Sequence, residues 1–119
     1  MAYTLVTVNA ADANGATGVD LDAAFTAIVV ENKVMNRGGN TLIFFRTLAG
    51  ETVDVEIDSV ADPYGRLGNL GPTSLSASKL YVFGPFSPRL FNQSGVDDGF
   101  IYLAYTNVVL TPEIAAMSV

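Results

Sequence analysis

The sequence predicts an all-β fold, an antiparallel β-sandwich or jelly roll of seven to eight short strands. Three observations carry this expectation. Short runs rich in Val, Ile, Thr, Tyr and Phe recur with turn signals between them at roughly 8 to 12 residue spacing. No stretch sustains the apolar pattern of a long helix. Residues 51–58 (ETVDVEID) alternate strictly, with Val53, Val55 and Ile57 on one face and Thr52, Asp54, Glu56 and Asp58 on the other, the period of a half-buried strand. At 119 residues, half of them hydrophobic, and with no linker or internal repeat, the chain fits one domain spanning 1–119.

Taken in order, residues 3–8 (YTLVTV) form a β-branched, aromatic first strand, and residues 1–10 could serve as an arm pairing outside the domain. A small, polar loop follows, with turn signals at Asn14-Gly15 and Thr17-Gly18. Asp20 could cap a short helical turn over 21–24, or the segment could be extended. Residues 26–31 (TAIVVE) are strand-like, and residues 32–40 carry Gly38 and Gly39 between asparagines, which is turn chemistry. Residues 41–47 (TLIFFRT) are apolar on both faces, as expected of a buried or interface strand. With Ala49 and Gly50 in the connection, 41–47 and 51–58 read as a β-hairpin.

Glycines and prolines crowd residues 59–76, so regular structure is not expected there, and a connection this long suits a contact loop. Residues 78–83 return to strand character. The next stretch, 84–105, is the organising device of the chain. Gly84 and Pro85 end one strand, since proline cannot donate to a ladder. Pro88 opens a short helical turn through residue 92, where its missing N–H costs nothing. An acidic loop runs through 93–99, and Gly99 leads into the aromatic strand 100–105, with Phe100 and Tyr102 on one face and Tyr105 on the other. Thr106 and Asn107 allow a turn. Pro112 breaks the next run and leaves 112–119 as a final strand or an extended tail.

Composition narrows the function. The net charge is −6, from 12 acidic and 6 basic residues, and the basic ones stand singly, which argues against a nucleic-acid surface. No basic, apolar leader opens the sequence, so no cleavable export signal is expected, and no apolar run approaches the roughly 20 residues of a membrane-spanning helix. Cysteine and histidine are both missing. That removes disulfides, thiolate metal sites and the usual general base near neutral pH, and the expectation is a protein that is not an enzyme, with no cofactor, no catalytic residues and no metal.

The candidate chemistries are weak. Asp12, Asn14 and Gly15 echo a calcium loop, but an EF-hand register would start its ligands at Ala10 and end them at Leu21. Asp97 and Asp98 form a second acidic cluster with Asn92 or Gln93, and a solvated loop explains both clusters better. Asp54, Glu56 and Asp58 point outward together, which an exposed face accounts for without glycosidase chemistry. The glycines between 65 and 71 lack the Gly-Lys-Ser/Thr ending of a phosphate loop. Phe44 and Phe45 cannot both face one core, and aromatics left outside a sheet mark contact surfaces, for a sugar or for a protein partner.

The segments VENKVMNRGGNTLIFFRT, ETVDVEI, VFGPFSPRLFNQSG and GFIYLAYT, across roughly residues 30–106, resemble a group of small tailed-phage virion proteins. The resemblance implies a compact sandwich or jelly roll acting as a capsid cement or decoration protein, commonly a trimer on the head surface. Its partners would be the major capsid protein and copies of itself, with no nucleic acid and no membrane. It would be made in the host cytoplasm and would reside on the virion. The residues expected to make contacts are Tyr3, Leu5 and Val6 in the first strand, Tyr64, Leu67 and Leu70 in the long connection, Phe86, and Ile114 and Met117 near the end. The alternative expectation is a carbohydrate- or calcium-binding sandwich module of a tail fibre or cell surface.

Overall fold

A computed structural model describes residues 3–10, 20–36, 38–60 and 68–119. Two five-stranded sheets pack face to face around one core, as expected of an all-β sandwich. The strands are β1 (Thr4–Val6), β2 (Val8–Ala10), β3 (Thr26–Ala27), β4 (Glu31–Met35), β5 (Thr41–Arg46), β6 (Thr52–Ile57), β7 (Leu70–Leu75), β8 (Leu80–Phe83), β9 (Phe100–Val109) and β10 (Glu113–Ser118). The first sheet has the order β1-β4-β9-β6-β7. The second has β2-β10-β5-β8, with β3 also pairing β10. The sheets are mixed rather than purely antiparallel, because β1 joins β4 and β2 joins β10 in parallel.

Those two parallel pairings come from one N-terminal segment. It lies along β4 as far as Val6, then crosses to lie along β10 from Val8. Val6 is buried and Val8 packs against the core, so the segment closes one side of the sandwich. The described part of the expected arm is thus paired within its own chain. The expected tail is likewise a strand: β10 sits inside the second sheet, pairing β5 along its whole length, with Ile114, Ala115 and Ala116 fully buried.

The expected hairpin between 41–47 and 51–58 does not form. β5 bonds β10 and β8, while β6 bonds β9 and β7, so both edges of each strand are already occupied. The connection instead crosses between sheets through a tight turn, where Glu51 N donates to the Leu48 carbonyl and Gly50 takes a φ of 78°. Each strand keeps the alternation seen in its sequence, and the two apolar faces meet across the core rather than lying side by side. Phe45 sits at that meeting, edge-on to Phe83 at 5.7 Å and to Tyr105 at 6.1 Å.

Two strands fall where turns or irregular chain were expected. β4 contains Asn32 and Lys33, but Asn32 is buried by a partner on each side: it donates to the Thr4 carbonyl at 3.1 Å and accepts from the Tyr105 hydroxyl at 2.7 Å. β7 carries Gly71 and Pro72 and is tolerated because it is an edge strand, where a missing donor breaks no inner ladder. A Cβ on Gly71 would lie 2.6 Å from the Val55 carbonyl oxygen, so glycine is what lets this edge approach β6. The run 59–76, where regular structure was not expected, thus contains a strand, and residues 61–67 lie outside the described residues.

The short helices follow the sequence closely. Asp20 caps α1 (Leu21–Ala24), accepting from Ala23 N at 3.3 Å. Pro88 begins α2 (Pro88–Phe91). Phe86 and Phe91 bracket α2's start and end and pack edge-on at 5.7 Å, plugging one end of the core. Asn36, fully buried, ties this plug down: its Nδ2 donates to the Phe86 carbonyl and to Asn92 Oδ1, and its Oδ1 accepts from Thr41 N. The strand after Gly99 runs on to Val109, straight through the turn expected at Thr106 and Asn107. A register shift against β6 absorbs Asn107, whose φ is 51°.

Candidate functional site: an apolar sheet face

The two sheets present opposite outer faces. Alternation in β5 turns Ile43 and Phe45 inward and Leu42, Phe44 and Arg46 outward. In β8, Tyr81 and Phe83 pack against the core while Leu80 and Val82 are exposed. In β10, Ile114 and Ala116 face the core, and Glu113, Ala115 and Met117 face out. The register sets Phe44 between Val82 and Ala115, and Leu42 beside Met117. Leu80 and Val82, on the edge strand of this sheet, are 61% and 57% exposed. A solvated antiparallel face normally alternates polar outward residues with apolar inward ones. This one does not.

Among the described residues of these strands, charge enters at one end of this face. Arg46 is held there by Asp22 and by Glu113, to which its Nε and Nη2 donate at 3.1 and 3.0 Å, and its guanidinium lies 4.3 Å from the Phe25 ring centre. Beside it, the chain at 46–49 and 78–80 frames a shallow open depression with Leu48 and Lys79 at its rim. The same end of the sandwich exposes Val29, Val30, Val109 and Leu110. Leu110 has a φ of 60°, in the left-handed region an L-residue with a branched side chain seldom adopts, and its side chain remains 66% exposed over the Gly50 turn.

The outer face of the first sheet carries paired polar groups beside apolar ones such as Leu5. Lys33 Nζ meets Asp97 Oδ1 at 2.8 Å and lies over the Phe100 ring, and the Tyr102 hydroxyl donates to the other oxygen of Asp97. Those hydrogen bonds, Lys33's first, hold the Asp97 carboxyl below its ordinary range, and the bond to Asp97 pushes the Tyr102 hydroxyl up to about 12. Tyr3 stacks flat on Tyr102 at 3.8 Å, and burial and then a hydrogen bond to Glu31 raise its hydroxyl pKa. Asp58 is raised by burial and by the neighbouring Glu56 and Glu31 carboxylates, whereas Asp54 is lowered by hydrogen bonds from Asn107 and Ser74. Among the described residues no group of three or more acidic side chains is placed to hold a metal ion.

The residues singled out from sequence divide among these surroundings. Met117 lies on the apolar outer face, half-buried. Leu5 is exposed on β1, and Leu70 is exposed at the start of β7. Tyr3 is engaged with Tyr102 on the polar face. Val6, Phe86 and Ile114 are corrected to core positions: each is under 5% exposed, so none offers a contact surface in the folded chain. Tyr64 and Leu67 lie outside the described residues, as do Asp12 and Asn14 of the calcium-like loop. The structure adds Leu42, Leu80 and Val82 to Phe44, which the doubled phenylalanines had already marked. The signal for the first three was in the sequence, since both parities of residues 41–45 and 80–83 are apolar.

Comparison with family models, with curated proteins and with solved structures gives no match to this chain.

Proposed function

We propose that this protein is a structural, non-enzymatic component that binds other protein through the apolar outer face of its second sheet. The carrying observation is that face itself: Leu42, Phe44, Leu80, Val82 and Met117 outward on adjoining strands, with charge, among the described residues of these strands, at one end. An apolar patch of this kind on a small soluble domain is a protein-contact surface more often than a catalytic one. With the resemblance to small tailed-phage virion proteins, the reading becomes a capsid decoration protein. It would stabilise a phage head by covering subunit boundaries, where many modest contacts act together on a repeating lattice.

The test is copurification and direct binding. Wild-type protein should bind expanded phage heads at a copy number matching their symmetry, and Phe44→Asp should lose that binding while keeping its fold. A folded protein indifferent to heads, or binding that survives Phe44→Asp and Val82→Asp alike, would sink the proposal.

A further inference from the structure

We propose that β8 is a pairing edge, through which two copies of this chain join antiparallel about a two-fold axis and merge their apolar outer faces. The inference rests on the reading of that face as a contact surface, and it names where the chain meets itself.

β8 is the last strand of the second sheet, bonded on one side to β5. The direction of its free groups follows from the residues just before it. Thr47 N donates to the Lys79 carbonyl at 2.9 Å, and Lys79 N donates to Thr47 Oγ1 at 3.0 Å, so position 79 faces β5. Antiparallel alternation then turns Tyr81 and Phe83 toward β5 and leaves the N–H and C=O of Leu80 and Val82 pointing to the open side. Among the described residues no backbone bond meets them there. The same two residues carry the exposed apolar side chains of the outer face.

Edges of this kind are normally guarded by a proline, a charge or a bulge within the strand. β7, the edge strand of the other sheet on this side, has such a guard in Gly71 and Pro72. β8 has none among its four residues, Leu80, Tyr81, Val82 and Phe83.

A second copy fits the edge for two reasons. The register is self-complementary: with the two-fold at Tyr81, Leu80 lies opposite the partner's Val82 and Val82 opposite the partner's Leu80, each pair exchanging two N–H···O bonds. Leu80 and Val82 then sit side by side on the same outer face as Phe44. The charges also permit the approach. The chain carries a net −6, but residues 68–96, which hold β7, β8 and α2, contain no Asp or Glu, so the paired β8 strands and their flanks along the chain bring no opposing carboxylates of their own. The two Lys79 side chains fall at opposite ends of the paired strands, roughly 14 Å apart along them. That exceeds the Debye length of about 8 Å at physiological salt.

The full chain should sediment as a concentration-dependent dimer, and the Leu80 and Val82 amides should gain exchange protection as dimer forms. Val82→Pro removes an outward donor and Leu80→Lys supplies the missing guard. Each should raise the dissociation constant about tenfold or more with the melting temperature near wild type. A monomer from micromolar to millimolar concentration, a trimer, or a dimer that both folded variants leave unchanged would overturn the pairing. Head binding, read on the same samples, separates this from the proposed function. A monomer that binds heads removes the two-fold and keeps the contact face, whereas a dimer that ignores heads removes the lattice and keeps the edge.

Discussion

The two outer faces of this sandwich are both built on pleated strands, yet they meet solvent differently. On the first sheet several outward groups have polar or aromatic partners: Lys33 with Asp97, Tyr102 with Tyr3 and Asp97, Asp54 with Asn107. On the second, among the described residues, the strand register gives Leu42, Phe44, Leu80 and Val82 apolar neighbours, Val82 and Ala115 beside Phe44 and Met117 beside Leu42. A network of weak hydrogen bonds and ion pairs is at home in water. An aliphatic and aromatic stripe gains by leaving it, at about 25 cal/mol per Å² of apolar surface covered. The difference separates a face whose outward groups are paired for solvent from one that would gain by being covered.

The sharpest way to break that comparison uses two adjacent phenylalanines. Phe45→Ala should cost about 3–5 kcal/mol in a denaturation experiment, because Phe45 is fully buried against Phe83 and Tyr105. Phe44→Ala, one residue away and half-buried on the outer face, should cost about 1 kcal/mol and act on association instead. Equal costs would mean that the outer face is already covered by the chain itself. Next in size is Tyr105→Phe, which leaves the Asn32 Oδ1 buried without its donor and should cost about 1–2 kcal/mol by chemical denaturation.

The polar face should respond to pH and the apolar face should not. The Asp58 pKa is raised in the folded state, so its contribution to stability is present below the ordinary carboxylate range and is lost as pH rises through the folded value. Asp58→Asn should therefore raise the melting temperature at neutral pH, and the gain should vanish in acid. Asp97 and Asp54 are lowered, so their contribution is present above the ordinary range and is lost as pH falls through their folded values. Asp97→Asn should give the smallest shift of the set, a slight fall in melting temperature at neutral pH that added salt reduces further.

Much of this was legible in the sequence wherever one residue settles a local choice. Asp20 and Pro88 each opened the short helix their chemistry allows, and the alternation of 51–58 gave the correct inner and outer faces of β6. Pairing was not legible, because alternation tells a strand which side faces the core but not which neighbour shares its hydrogen bonds. Nearness along the chain pointed to a hairpin of β5 with β6, yet the longer registers with β10, β8, β7 and β9 won. Burial misled in the same way at Val6 and Ile114. Both lie near chain ends, where exposure is the usual expectation, and both are held in by strands that local sequence does not reveal.

The central claim, that the second sheet's outer face is the one that meets protein, is tested most directly by side-chain footprinting of free and assembled protein. Leu42, Phe44, Leu80, Val82 and Met117 should lose reactivity on assembly while Lys33, Phe100 and Tyr102 stay as reactive as before. Protection of the Tyr102 face, with the apolar stripe left open, would contradict it.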